Sequence, residues 1–159
     1  MKTQSLALLK NRLVHPAKTT MAAVLALLTA RALGFPEVYW APISAMVVMQ
    51  STLGATLTIS WQRLAGTALG SAAGALLVDR FGPSLVAFAA GVFTLGLLCP
   101  ALRLDRPAYR YAGITLTVVM LVAHAEAGWV VAIHRFAEIS VGIVVGLLLT
   151  ALWPEQEIN

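Results

Sequence analysis

The chain has 159 residues, of which 59% are hydrophobic and only 11% are charged, and its net charge is +4. Soluble domains have about 25% charged residues and leave much of their surface in water, so this composition excludes a small soluble globular protein. The apolar residues come in long blocks, which predicts an all-α, polytopic membrane protein. Basic residues in such a protein report topology, and they do not indicate a nucleic-acid partner.

Residues 1–19 form a basic, largely polar segment before the first apolar block. Leucines spaced among Lys10, Arg12 and other basic residues are typical of an amphipathic helix on the membrane surface, on the cytoplasmic side. Pro16 is expected to end this helix. A cleaved signal peptide is the rejected alternative, because the polar lead is long and Arg31 lies inside the loosely matching cleavage site.

Six apolar segments then form a membrane domain over residues 20–154, followed by an acidic cytoplasmic tail at 155–159. The predicted spans cover residues 20–33, 38–50, 59–78, 84–98, 109–123 and 129–153. The second span is shorter than the ~20 residues that a helix needs to cross hydrocarbon. It is therefore either continued by a non-helical passage or extended toward Leu57 in spite of Gly54.

The basic residues predict the orientation of the spans. An even number of spans puts both termini on one side, and placing them in the cytoplasm leaves eight basic residues inside and three outside, as the positive-inside rule expects. The inner eight are Lys2, Lys10, Arg12, Lys18, Arg63, Arg103, Arg106 and Arg110. The prediction is a multi-pass protein of a bacterial inner membrane, with no room for a soluble domain.

Glycines recur at every fourth position in two of the predicted spans. Gly66, Gly70 and Gly74 form a row in the third span, and Gly142 and Gly146 form one in the sixth. Such rows let helix backbones approach closely. We expect them to pack the third span against the sixth, or to form a contact between subunits.

The same two spans indicate an internal repeat. Arg63 and the glycines after it align with Arg135 and the glycines after it, at a constant offset of 72 residues. A unit of three spans inserts its two copies in opposite orientations, which is typical of inverted-repeat transporters. The alternative is a chance similarity between apolar helices that both carry glycine rows.

Charged residues inside the spans are candidate site residues, because burying each in hydrocarbon is costly. In the sixth span, Glu138 and His134 could relay a proton, and Arg135 could hold an anionic substrate; alternatively, the three form an interfacial cluster that orients the helix. Arg63 is a second candidate anion ligand, expected beside a helix amino terminus, or else a residue that reaches to the interface.

Neighbouring polar and aromatic residues complete the predicted substrate site. Gln50 and Thr52 lie in the polar passage before Arg63, and Trp61 either anchors the interface or stacks on an aromatic substrate. The single cysteine, Cys99, is expected to be a small buried hydrophobe. No nucleotide loop, metal-ligand cluster or hydrolase motif is visible, so we expect no cofactor, no metal and no enzymatic activity.

Several of these residues also carry a family resemblance. The chain resembles the membrane domain of fusaric-acid-resistance-like proteins, which belong with the aromatic acid exporters, over about Thr20 to Pro154. The matching residues are Tyr39–Pro42, Gln50, Gly54, Gln62–Thr67, Gly70, Arg135–Ile139, Gly142 and Pro154. The resemblance implies an inner-membrane protein that exports aromatic carboxylates, usually with the proton gradient.

The larger members of that family carry two such domains and a cytoplasmic domain. This chain has one set of six predicted spans, so we expect it to act as a homo-oligomer, most simply a dimer, in the lipid bilayer. A periplasmic adaptor is a further possible partner. The alternatives to proton-linked export are a passive organic-anion channel and a non-transporting membrane partner.

Overall fold

The computed structural model describes residues 2–122 and 127–153, which form six helices and no strand. The helices are α1 (Lys2–Ala32), α2 (Trp40–Val48), α3 (Leu53–Phe81), α4 (Leu85–Ala101), α5 (Arg106–Val122) and α6 (Gly128–Leu152). This confirms the all-α class. Among the described residues, two helical stretches are long and apolar enough to cross a membrane, Leu13–Ala32 and Gly128–Leu152. The six-span arrangement stays a prediction.

The first helix corrects one expectation. Pro16 does not end it, because α1 continues without interruption from Lys2 to Ala32. A proline removes one backbone hydrogen bond, and the good helix formers on either side, Leu13, Ala17 and Lys18, tolerate that loss. The helix ends instead at Gly34, whose φ of 73° allows the Phe35 N–H to bond back to the Ala30 carbonyl at 3.2 Å.

The connection from α2 to α3 follows the first of the two predicted alternatives. α2 has only 9 residues and ends where Met49 becomes extended. Thr52 then starts α3, since its Oγ1 accepts a hydrogen bond from the Ala55 N–H at 3.3 Å. α3 therefore begins at Leu53, six residues before the predicted start of the third span.

The chain forms two compact units. Met1–Thr58 with Ser140–Asn159 makes the first, and Ile59–Ile139 makes the second. In the first unit, α1 and α2 approach through fully buried alanines, which leave space for little else between the backbones. These alanines are Ala22, Ala26, Ala30, Ala41 and Ala45.

The core of the second unit lies between α4 and α5. Leu95 and Cys99 of α4 pack with Leu116 and Met120 of α5, and all four side chains are buried. The buried position of Cys99 agrees with its prediction as a small hydrophobe. Gly91 leaves room for the Leu77 side chain against the α4 backbone, because a Cβ at position 91 would lie 2.5 Å from a methyl group of Leu77.

The glycine rows have other partners than the sequence predicts. The α3 row packs on α5: a Cβ built on Gly70 would lie 2.2 Å from the Ala112 carbonyl oxygen. The α6 row packs on α2: a Cβ on Gly142 would lie 2.1 Å from the Ala41 carbonyl oxygen. The third span is thus not joined to the sixth through these glycines. Each row instead brings two backbones into direct contact, which only glycine permits.

These contacts predict a sharp difference between two glycines. Gly70→Val should lower the stability of the detergent-solubilised protein by about 1–3 kcal/mol, because the added methyl groups collide with backbone that cannot rotate away. Gly113→Ala is the matched control, since a Cβ at Gly113 meets nothing within 4 Å and alanine favours the helix. Thermal unfolding followed by size-exclusion chromatography measures both. Equal melting temperatures for the two variants would contradict the packing.

Candidate functional site

Charged and polar side chains are buried along α3 and α6. Twelve polar or charged residues are buried within the described part of the chain. They are Lys18, Ser44, Thr56, Ser60, Gln62, Arg63, Thr67, Ser71, Thr115, Arg135, Glu138 and Thr150. Eight of them belong to the second unit, so the candidate site residues Arg63, Arg135 and Glu138 lie in one compact part of the molecule.

Arg63 is held against an aromatic ring. Its guanidinium carbon lies 4.9 Å from the ring centroid of Tyr111 on α5, and the residue is only 6% exposed. A cation over the face of a tyrosine is attracted by the ring quadrupole, more strongly when both are desolvated. Gly66, one turn later on α3, permits this approach, because it lies directly against Ala108 and Tyr111.

The predicted setting of Arg63 needs a correction. The sequence placed it beside a helix amino terminus, but α3 begins at Leu53. Ten residues of helix separate the two, about 15 Å at 1.5 Å per residue. The unpaired amides of the helix end therefore do not reach Arg63, and the guanidinium itself is the anion-attracting group.

A second polar contact beside Arg63 was not predicted. The Gln62 side chain donates a hydrogen bond from Nε2 to a carboxylate oxygen of Asp105, just before α5, at 2.5 Å. Gln62 is buried, 6% exposed, whereas Asp105 is exposed. The contact links α3 to the loop between α4 and α5. The signal in the sequence was a glutamine directly before an arginine inside an apolar segment.

Arg135 and Glu138 form an ion pair one turn apart on α6. Nη1 of Arg135 donates to Oε2 of Glu138 at 3.3 Å, with side chains 3% and 1% exposed. Both charged groups are buried within the second unit. His134 is the exception, since it is partly exposed. The attraction between the two charges offsets part of the free energy that it costs to remove both from water.

The other predicted ligands lie in different settings. Thr52 and Gln50 meet around Thr56, whose Oγ1 accepts from the Gln50 N–H at 3.2 Å and donates to the Thr52 carbonyl at 3.0 Å. Trp61 is 63% exposed, and its position two residues before Arg63 puts the two side chains on different faces of α3. The structure therefore does not bring Trp61 together with Arg63.

One buried charge escaped the sequence analysis. Lys18 is fully buried, although it was counted only toward the topology of the chain. Its signal was present: it lies inside Leu13–Ala32, one of the two stretches apolar enough to cross a membrane. The offset of 72 residues in the predicted repeat also places residues 124–135 opposite the passage before Arg63, and residues 124–126 of that segment lie outside the described part of the chain. Residues 2–122 and 127–153 contain no group of three or more potential metal ligands.

Two helical stretches long and apolar enough to cross a membrane, together with buried charges that are ion-paired or stacked on a ring, are typical of helical membrane proteins. The profile of the family described as fusaric acid resistance protein-like matches residues 23–149. The chain belongs to this family. The family resemblance noted in the sequence is thereby confirmed.

Curated relatives agree with this assignment. The chain is 26% identical to the inner membrane protein YeeA of Escherichia coli K12, over 91% of this chain and 42% of the relative. It is 30% identical to the uncharacterized transporter YdhK of the same strain, over 87% of this chain and 22% of the relative. It is 35% identical to the uncharacterized membrane protein YvaC of Bacillus subtilis 168, over 77% of this chain and 20% of the relative.

The chain thus spans less than half the length of these relatives. No solved structure shows a significant match. The relatives and the apolar helices together support a membrane location.

The α6 ion pair predicts strongly non-additive mutations. Glu138→Met alone should destabilise the protein by about 3–5 kcal/mol, because it leaves the buried Arg135 charge uncompensated. The double variant Arg135→Met, Glu138→Met removes both charges and should recover most of that loss. Melting temperatures of the two single variants and the double variant form the thermodynamic cycle. Additive losses would show that the two charges do not depend on each other.

Proposed function

We propose that the protein is a multi-pass inner-membrane transporter of organic anions, with six spans and both termini in the cytoplasm. Its membership of a family whose relatives include an uncharacterized transporter supports this function. Two of the helices are long and apolar enough to span a membrane, and α4 is a shorter apolar helix. α3 and α5 would cross with the help of neighbours that cover their polar faces. α2, with only 9 residues, would cross together with the non-helical passage that follows it.

The observation that carries the proposal is the burial of Arg63. A charge inside a membrane helix costs about 2.5–3.5 kcal/mol on insertion scales, so it is retained where it faces a pathway or a partner. The ring of Tyr111 offsets part of the cost. A carboxylate fits the donor fork of a guanidinium, with two parallel hydrogen bonds. Arg63 is therefore the first anion ligand of the proposed site.

Arg135 and Glu138 would couple transport to protons. As long as Glu138 is ionised, it occupies Arg135 at 3.3 Å. Protonation of Glu138 would remove the competing carboxylate and free Arg135 for the carboxylate of a substrate. The partly exposed His134 precedes Glu138 by one turn and would pass the proton. By this scheme one proton and one anion use the same arginine in turn.

The contacts of the glycine rows support an inverted repeat. Gly142 lies 72 positions after Gly70, and its partner Ala41 lies 71 positions before Ala112, the partner of Gly70. The next pair along follows the same rule: Gly74 meets Val119, and Gly146 meets Val48. If residues 1–77 and 78–159 are related halves, each half lays its last helix on the middle helix of the other.

We extend the proposal to proton-linked export of aromatic carboxylates by an assembly of more than one copy. The family description, fusaric acid resistance protein-like, supports a substrate of this kind. An additional periplasmic adaptor would complete the export route. Channel-like passage of the same anions is the competing mechanism, and it gives Glu138 no role.

Replacing Arg63 tests the anion site. Arg63→Ala should abolish uptake of a benzoate-type acid into inside-out proteoliposomes, whereas Arg63→Lys should retain a reduced rate, because the charge remains but the donor fork is lost. Arg80→Ala is the control, since Arg80 is exposed on the same helix. Full flux by a correctly folded Arg63→Ala protein would refute the proposal.

Replacing Glu138 tests the coupling. Glu138→Gln keeps the size of the side chain and removes its proton-binding carboxylate, so the flux should no longer respond to an imposed pH gradient. Radiolabelled-anion flux measured with and without the gradient gives this comparison, and melting temperatures establish that the variant is folded. A wild-type protein whose flux ignores the gradient would identify a passive channel instead.

A further inference from the structure

The buried face of α3 carries a continuous row of polar side chains. Ser60, Arg63, Thr67 and Ser71 follow one another at one-turn spacing, so they share about one quarter of the helix circumference. All four are buried, with exposed fractions from 1% to 6%. At 1.5 Å per residue the row is about 16 Å long, roughly half of a hydrocarbon core.

Two hydroxyls in this row lack the hydrogen bond that several threonines of the helices make. Thr56, Thr115 and Thr150 donate to the carbonyl four residues earlier at 2.9–3.0 Å, whereas the Thr19 hydroxyl on α1 has no partner in the described part of the chain. The Oγ atoms of Ser60 and Ser71 are buried and have no hydrogen-bond partner within the described part of the chain. An unsatisfied buried hydroxyl costs about as much as a lost hydrogen bond, so such groups are normally satisfied by bound water.

Space is available next to one of them. An open groove of about 270 Å³ lies beside Ser71. Its other lining residues are mostly exposed on the outer surface: Ala68 and Ala72 of α3, and Trp129, Ala132, Ile133 and Phe136 of α6. Serine contributes the one hydroxyl to a wall that is alanine, aliphatic and aromatic. This volume holds several waters or one small ring-sized solute.

We propose that the Ser60–Ser71 face of α3 lines a hydrated pathway, which carries water and small organic anions past Arg63. The buried arginine supplies the positive charge, and the serine hydroxyls supply hydrogen bonds before and after it. That the face is hydrated follows from burial and hydrogen bonding alone. That anions use it rests on the proposed transport function.

Single cysteines test the hydration. In a Cys99→Ala background, Ser60→Cys and Ser71→Cys should react with a membrane-impermeant, anionic methanethiosulfonate reagent about tenfold faster than Leu76→Cys, a factor equal to about 1.4 kcal/mol. Leu76 is the control, because it lies on the same helix, is 50% exposed on the outer surface, where lipid would surround it, and does not line the groove beside Ser71. Equal or slower reaction at the two serine positions would overturn the proposal.

A second measurement needs no cysteine. Ser71→Ala should leave the melting temperature of the otherwise unmodified protein unchanged or slightly lower, since a hydrated hydroxyl loses good hydrogen bonds. A rise in melting temperature would mean that the hydroxyl is dry and unsatisfied, which contradicts a hydrated path.

A labelling experiment tests whether anions enter the hydrated face, independently of the transport assay with Arg63→Ala. A benzoate-type acid in excess should slow the labelling of Ser71→Cys and leave that of Leu76→Cys unchanged. If both serine positions are labelled but the acid gives no protection, the face is hydrated and anions do not use it. Fast, anion-protected labelling together with full flux in Arg63→Ala would refute the role of Arg63 while the pathway stands.

Discussion

The close contact of helix backbones at the glycine rows is the constraint on which the rest of this structure depends. Gly66, Gly70 and Gly74 bring α3 against α5 so tightly that a single methyl group has no room. Apolar side chains gain little from association inside a lipid bilayer, so packing of this kind is a main source of helix adhesion. The same approach brings Tyr111 within reach of Arg63, and it thereby builds the candidate anion site.

The two buried arginines Arg135 and Arg63 are stabilised by different partners. Arg135 is paired on its own helix with Glu138, at 3.3 Å. Arg63 depends on a ring from another helix, so its environment changes if α3 and α5 move apart. The proposed transport uses these two arrangements differently: Arg63 would bind the anion, and protonation of Glu138 would release Arg135.

The polar face of α3 connects these features to a possible route through the protein. Glycines on one face of the helix hold α5, while Ser60, Thr67 and Ser71 on the adjacent face stay buried with Arg63. One helix thus combines the tightest packing and the most polar interior surface of the second unit. Close packing on one side keeps that surface in place, because interiors at this density do not deform gradually.

The sequence by itself determined the helical class, the family and four of the six helices to within about three residues, and it singled out Arg63, Arg135 and Glu138 as charges inside apolar segments. Long apolar blocks and isolated charges carry that information locally. Only the tertiary structure decided that α1 continues through Pro16, that the glycine rows meet α5 and α2, and that Gln62 reaches Asp105. A glycine row shows that some backbone comes close, but its partner depends on how all the helices pack, which no local pattern contains.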